Sequence, residues 1–248
     1  MRILLLVFFT SIFGQSFGQR NQPMIYNNRY QFGLSESRIE VLENKDTVFI
    51  TKSNYKNANT QNIDEVEIMY KGTPIFKNAW FTNSVIYVDG LATKGIIAYN
   101  LLNHDIQFSA KDISHPVVVK PDSFLLAGYH FTQLGKKSKL TNTIYYERIF
   151  KNQKIGIYKV HNCNFRPKVD GQKTSYHVST DDFEGSFIKS TDLFIYENGV
   201  LIEVKNNSAF YKYFVGKRTE LEKFAKSNNL SAKKENDLIE IVKYYASL

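Results

Sequence analysis

Ser84-Val85-Ile86-Tyr87-Val88-Asp89-Gly90-Leu91, continuing to Tyr99, is the stretch on which the fold turns. Two apolar, β-branched runs flank Asp89-Gly90. That pair suits a two-residue type I′ turn, in which both central residues need positive φ. A second copy of the signal lies downstream. Leu193-Phe194-Ile195-Tyr196-Glu197 precedes Asn198-Gly199, and Val200 to Lys205 follows. The two stretches share Ile-Tyr-x-Asp/Asn-Gly, which reads as common hairpin chemistry and not as a duplication.

Further short runs fill the interval. Asp105 to Ala110 alternates, with Ile106, Phe108 and Ala110 on one face and Gln107 and Ser109 on the other. Ser123 to Leu134 reads as one longer strand. Thr143 to Phe150 and Lys154 to Val160 flank the polar loop Lys151-Asn152-Gln153. Arg38 to Leu42, Asp46 to Thr51 and Val66 to Tyr70 precede them. The 19 Phe and 16 Tyr suit side chains standing on pleated sheets. The spacing predicts a mainly β fold: an antiparallel meander forming a curved sheet or barrel-like roll.

The period changes after Asn206. Leu221, Phe224 and Ala225 make one helical face, and Asn228-Asn229 ends it. Ser231 is placed to cap a second helix carrying Leu238, Ile241, Val242 and Tyr245 at i, i+3, i+4 and i+7. A shorter helical turn fits Ala209 to Phe214. The organisation expected is a signal peptide over 1–18, an irregular leader over 19–36, a β-rich body over 37–205 and a helical segment over 206–248 packed on the body. Overall this is α+β with β dominant.

The signal peptide is read from Arg2, the apolar run Ile3 to Phe13, and small residues Ser16 and Gly18 before Gln19. The run is too short for the roughly 20 residues of a spanning helix, and no second such run follows. The only cysteine, Cys163, lies far from the cleavage point, so no lipid anchor is expected there and no internal disulfide can form. The expectation is a periplasmic or extracellular protein stabilised by an ordinary core, with no transmembrane segment. The net charge of +8 falls to +7 once Arg2 is removed. The charge comes from dispersed Lys with little Arg, which argues against a nucleic-acid partner. An envelope protein or an acidic cell-surface polymer fits better.

Gly72-Thr73-Pro74-Ile75-Phe76, Trp80, Val85, Asp89-Gly90 and Tyr99-Asn100 form a pattern, with Tyr145-Tyr146-Glu147 and the Leu238 to Tyr245 helix after it. Over about Gly72 to Leu248 the chain resembles uncharacterised exported β-rich proteins of Bacteroidota-type bacteria. In those a Gly-x-Pro-aromatic segment and a Trp precede a hairpin ending in Tyr-Asn. Asn83 stands where the family pattern has Gly. The resemblance implies an exported β-rich protein and no particular site.

Candidate chemistry is sparse. His161, Cys163, His177 and Asp181 are the best metal-like set, since His161 and Cys163 would share a strand face. Their spacing matches no zinc pattern, and ordinary strand residues are the simpler reading. Asp181-Asp182-x-Glu184 reads as a solvated loop rather than a Ca²⁺ site. There is no nucleophile elbow and no Gly-rich phosphate loop. Trp80, Phe76 and Phe81 are the candidates for a sugar-stacking platform, against a role as core plugs. No cofactor is expected. The leading expectation is a noncatalytic, envelope-associated scaffold or interaction protein. The alternative is a ligand-binding β-roll or small hydrolase with active residues dispersed in sequence.

Overall fold

The computed structural model describes residues 37–43, 45–56, 63–113, 115–134, 144–168, 183–205 and 207–248. Thirteen strands and three helices occupy them. The strands are β1 (Ser37–Val41), β2 (Thr47–Lys56), β3 (Ile63–Lys71), β4 (Phe81–Val88), β5 (Leu91–Asn100), β6 (Asp105–Ser109) and β7 (Val117–Val119). Then come β8 (Ser123–Leu126), β9 (Tyr129–Thr132), β10 (Tyr146–Lys151), β11 (Ile155–Pro167), β12 (Gly185–Glu197) and β13 (Val200–Glu203). The helices are α1 (Asn207–Tyr213), α2 (Arg218–Ser227) and α3 (Glu235–Ser247). The fold is mainly β with a helical C-terminal region, as the turn spacing predicts.

All the strands belong to one sheet, ordered β1-β2-β3-β12-β11-β10-β9-β8-β4-β5-β6-β7, with β13 paired to one end of β12. Every pairing is antiparallel except β3 with β12, which meet in parallel at Lys71 and Ser186. Both expected hairpins form. Asp89 and Gly90 have φ of 49° and 80°, and Asn198 and Gly199 have 51° and 82°. Their register follows from the turns, with Val88 opposite Leu91 and Glu197 opposite Val200.

Two strand readings change. Ser123 to Leu134 is not one strand but the hairpin β8–β9, because Ala127 and Gly128 both take positive φ, at 43° and 90°. β11 and β12 each run 13 residues, well beyond Lys154 to Val160 and Leu193 to Glu197. They pair without a register break from Ile155–Glu197 to Pro167–Gly185. That continuous ladder holds polar stretches which alternation alone does not mark as strand.

The sheet curls. β5 and β9 are three steps apart on the ladder, which is about 14 Å in a flat sheet. Yet the Tyr99 and Phe131 ring centroids lie 5.3 Å apart. The concave face holds an aromatic cluster of Phe76, Tyr99, Phe124, Phe131 and Tyr145. Phe124 and Phe131, directly opposite on β8 and β9, stack at 4.7 Å.

A second cluster joins the helices to the sheet. Ile155, Ile157 and Ile195 of β11 and β12 pack with Phe210, Phe214, Leu221, Leu238, Ile241 and Val242, all buried. Phe224 stacks on Tyr244 at 4.0 Å, joining α2 to α3. The amphipathic stripes therefore face the sheet and each other. Ser231 is not the cap of α3. The helix starts after Lys234, and Ser231 lies in the preceding turn, where its backbone N–H donates to Asp237 at 3.0 Å. Among the described residues no helix is long and apolar enough to cross a membrane.

Candidate functional site

Side chains alternate along a strand, so the odd-numbered residues of β11 share the concave face. They run in sequence from one cluster to the other. Ile155 and Ile157 belong to the helical core, and Cys163 and Phe165 are buried, Phe165 against Tyr70 of β3. Between them stand Lys159 and His161, a polar seam in an otherwise apolar face. Opposite Lys159 on β10 is Glu147, which is buried.

These groups satisfy each other. The His161 Nε2 and Glu147 Oε2 atoms are 2.5 Å apart. Lys159 Nζ lies 4.0 Å from the same carboxylate oxygen and pairs with Glu235, in the first turn of α3. The seam thus links β10, β11 and the helical segment. The His161 ring stands edge-on to Phe76, with centroids 4.8 Å apart.

Phe76 comes from a short 3-10 turn, Phe76–Asn78, that follows Pro74 and Ile75. The turn is anchored from both sides. The Leu101 N–H donates to the Pro74 carbonyl at 2.8 Å, and the Ile75 N–H donates to Thr73 Oγ1 at 3.0 Å. Lys77 and Asn78 take left-handed φ of 50° and 57°. Such strain in non-glycine residues persists only where the surroundings fix it. Here Lys77 donates to the Tyr129 hydroxyl, and Lys189 donates to the Ile75 carbonyl and, at 2.5 Å, to Asn78 Oδ1.

A cleft of about 430 Å³ opens between this turn and the strands, lined by Phe76, Asn78, Leu101, His161, Lys189 and Thr191 among others. Lys189 is exposed along its length, while its ammonium is crowded against the turn. That desolvation pulls its pKa down to about 8. Cys163, opposite Lys189 in the register, is buried, and burial pushes its thiol up to about 11. A thiol held protonated in this way is a poor nucleophile and a poor metal ligand.

The sequence candidates divide accordingly. His161 and Cys163 do share one face of β11, but His161 is bound to Glu147 and Cys163 is enclosed. His177 and Asp181 lie outside the described residues. Among those residues no group of three His, Cys, Asp or Glu is placed to hold a metal. Phe76 is only 2% exposed and plugs the concave face, so it offers no free ring to a sugar. Phe81 and Trp80 are partly exposed, and Phe81 lies 6.1 Å from Phe76. Lys159 and Lys189 were not singled out by the sequence, and Glu147 stood only in the Tyr145-Tyr146-Glu147 strand pattern, not as a site residue. Their meeting depends on cross-strand register, which no local motif announces. Comparison with family models, curated proteins and solved structures returns no match.

Proposed function

We propose that the protein is exported to the periplasm or cell exterior and works there as a noncatalytic, envelope-associated interaction module. One observation carries the reading. Each chemically capable side chain of the polar seam closes on a partner within the chain: His161 on Glu147, Lys159 on Glu235 and Lys189 on the 3-10 turn. These contacts join β10, β11, β12, the 3-10 turn and α3 to one another. The apolar run at Ile3 to Phe13 supports export, and the positive charge supports attraction to acidic surface components.

Cell fractionation with N-terminal sequencing of the native protein tests this. The expected product begins at or near Gln19, fractionates with the envelope and is released by high salt. A cytosolic product that retains Met1 would overturn the proposal. The ligand-binding roll keeps one specific support, the cleft beneath Phe76, whose floor mixes apolar and polar groups as binding sites do. Saturable binding of a small molecule that is lost in Thr191→Tyr would favour it.

A further inference from the structure

The concave face accounts for the polar seam, but one edge of β12 is left over. β12 is flanked by β11 along its whole length. Its other side is shared by two strands that do not meet. β3 reaches it at Ser186, and β13 reaches it from Phe194 onward. Ile188 to Asp192 lie between, a gap of about 17 Å at roughly 3.4 Å per residue.

The direction of the backbone in this gap follows from two hydrogen bonds. The Val204 N–H donates to the Leu193 carbonyl at 2.8 Å, so Leu193 points its backbone away from β11. Backbone groups alternate sides along a strand, and the β11–β12 register is unbroken. Thr191 and Lys189, two and four residues earlier, therefore aim their N–H and C=O groups the same way, into the gap. On the other strand, the Asn152 N–H donates to the Ile155 carbonyl at 3.0 Å. That turns the odd residues of β11 towards β10 and the even ones, including Val160 and Asn162, towards β12. Those face Asp192 and Ser190, which agrees with the first assignment. Among the described residues no backbone partner meets Lys189 or Thr191 in the gap.

Ile188, Lys189, Ser190 and Thr191, which border the gap, are exposed. Thr191 lines both the 430 Å³ cleft and a second cleft of about 360 Å³, which is also lined by Asp192, Leu193, Glu203, Lys205 and Lys233. Together they border Lys189 to Leu193 of β12, with the 3-10 turn on one side and Lys233, in the turn before α3, on the other. The charge along this path is positive. Lys77, Lys189, Lys205 and Lys233 line it, against Asp192 and Glu203. Asp192 already accepts from Asn162 at 2.8 Å, and Glu203 is paired with Lys205 at 3.3 Å. The ammonium of Lys189 rests on neutral acceptors only.

We infer that this interval of β12 is a strand-addition site for an extended, acidic peptide segment of a partner protein. The segment pairs with the backbone of Lys189 and Thr191 and sets its carboxylates among the flanking lysines. Backbone pairing at a sheet edge supplies affinity, and the flanking side chains supply selectivity. The inference rests on the interaction reading above and gives that reading a surface and a partner chemistry.

The test is fluorescence anisotropy of a labelled hexapeptide, Glu-Thr-Glu-Thr-Glu-Thr, titrated with the purified mature protein at low salt. Saturable binding is expected, with little binding of Lys-Thr-Lys-Thr-Lys-Thr. Methylating alternate peptide nitrogens on one edge should weaken binding about tenfold or more, as the loss of one or two backbone hydrogen bonds requires. Thr191→Pro removes an N–H that faces the gap and spares the β11 ladder, so it should weaken binding similarly with unchanged melting. If that variant does not fold, the methylated peptide still decides. No saturable binding, equal binding of the methylated peptide, or full binding by folded Thr191→Pro would each overturn the site. Fractionation of the native protein is independent of all three results, so failure of the slot and failure of the export and interaction reading are told apart.

Discussion

Glu147 is the residue on which the polar seam depends. It is buried and receives His161 at 2.5 Å, with Lys159 4.0 Å away. Removing it takes away the partner of His161, while Lys159 keeps Glu235, and a buried hydrogen-bonding group left without its partner typically costs about 1–3 kcal/mol. Glu147→Ala should therefore lower stability in urea unfolding by about that amount, and Glu147→Gln, which keeps an acceptor, by less. Two histidines elsewhere give a pH dependence. Burial lowers the pKa of His104, whose Nδ1 meets the Tyr99 hydroxyl at 2.7 Å, and burial also lowers that of His130. The unfolded chain then binds more protons than the folded one between the lowered values and the ordinary value of about 6.5. Stability is full above that value and falls as the pH drops through this window. Melting temperatures between neutral and mildly acidic pH should show the loss, and His104→Gln with His130→Gln should flatten it. His161 and Cys163 were legible as neighbours on one strand face because side chains repeat every two residues. Their partners were not, since Glu147 and Lys189 reach them only through strand pairing.

Elements were legible where a residue type dictates its own backbone. Asp89-Gly90 and Asn198-Gly199 mark their turns because Gly, and to a lesser degree Asn and Asp, accept positive φ. Ala127 gives no such warning, so β8 and β9 read as one strand. The outer half of β12 contains Lys189, Ser190 and Thr191, which carry no apolar alternation, yet the ladder with β11 holds them extended. In the helical segment the heptad-like stripe was sufficient. Leu221, Leu238, Ile241 and Val242 are all fully buried against Ile155, Ile157 and Ile195. Cutting a buried Ile to Ala costs about 2–5 kcal/mol, depending on how far the cavity collapses. Ile241→Ala should lower the melting temperature of the whole protein in one cooperative transition. An unchanged melting temperature would mean that α3 contributes little to the common core.

For the whole molecule, the meander and the helical ending were legible, but the closing topology was not. The parallel contact of Lys71 with Ser186 joins strands far apart in sequence, and no short-range signal encodes it. That contact and β13 bracket β12, and among the described residues no strand pairs with its central edge. Among the described residues the sheet has an unpaired edge at the centre of β12, where we propose that a partner strand adds. Amide hydrogen exchange resolved by residue on the free protein tests this most directly. The expected result alternates within one strand: Ser190 and Asp192, bonded to β11, exchange slowly, while Lys189 and Thr191 exchange quickly. Equal, strong protection at all four positions would mean that the edge is already covered, and would contradict the claim.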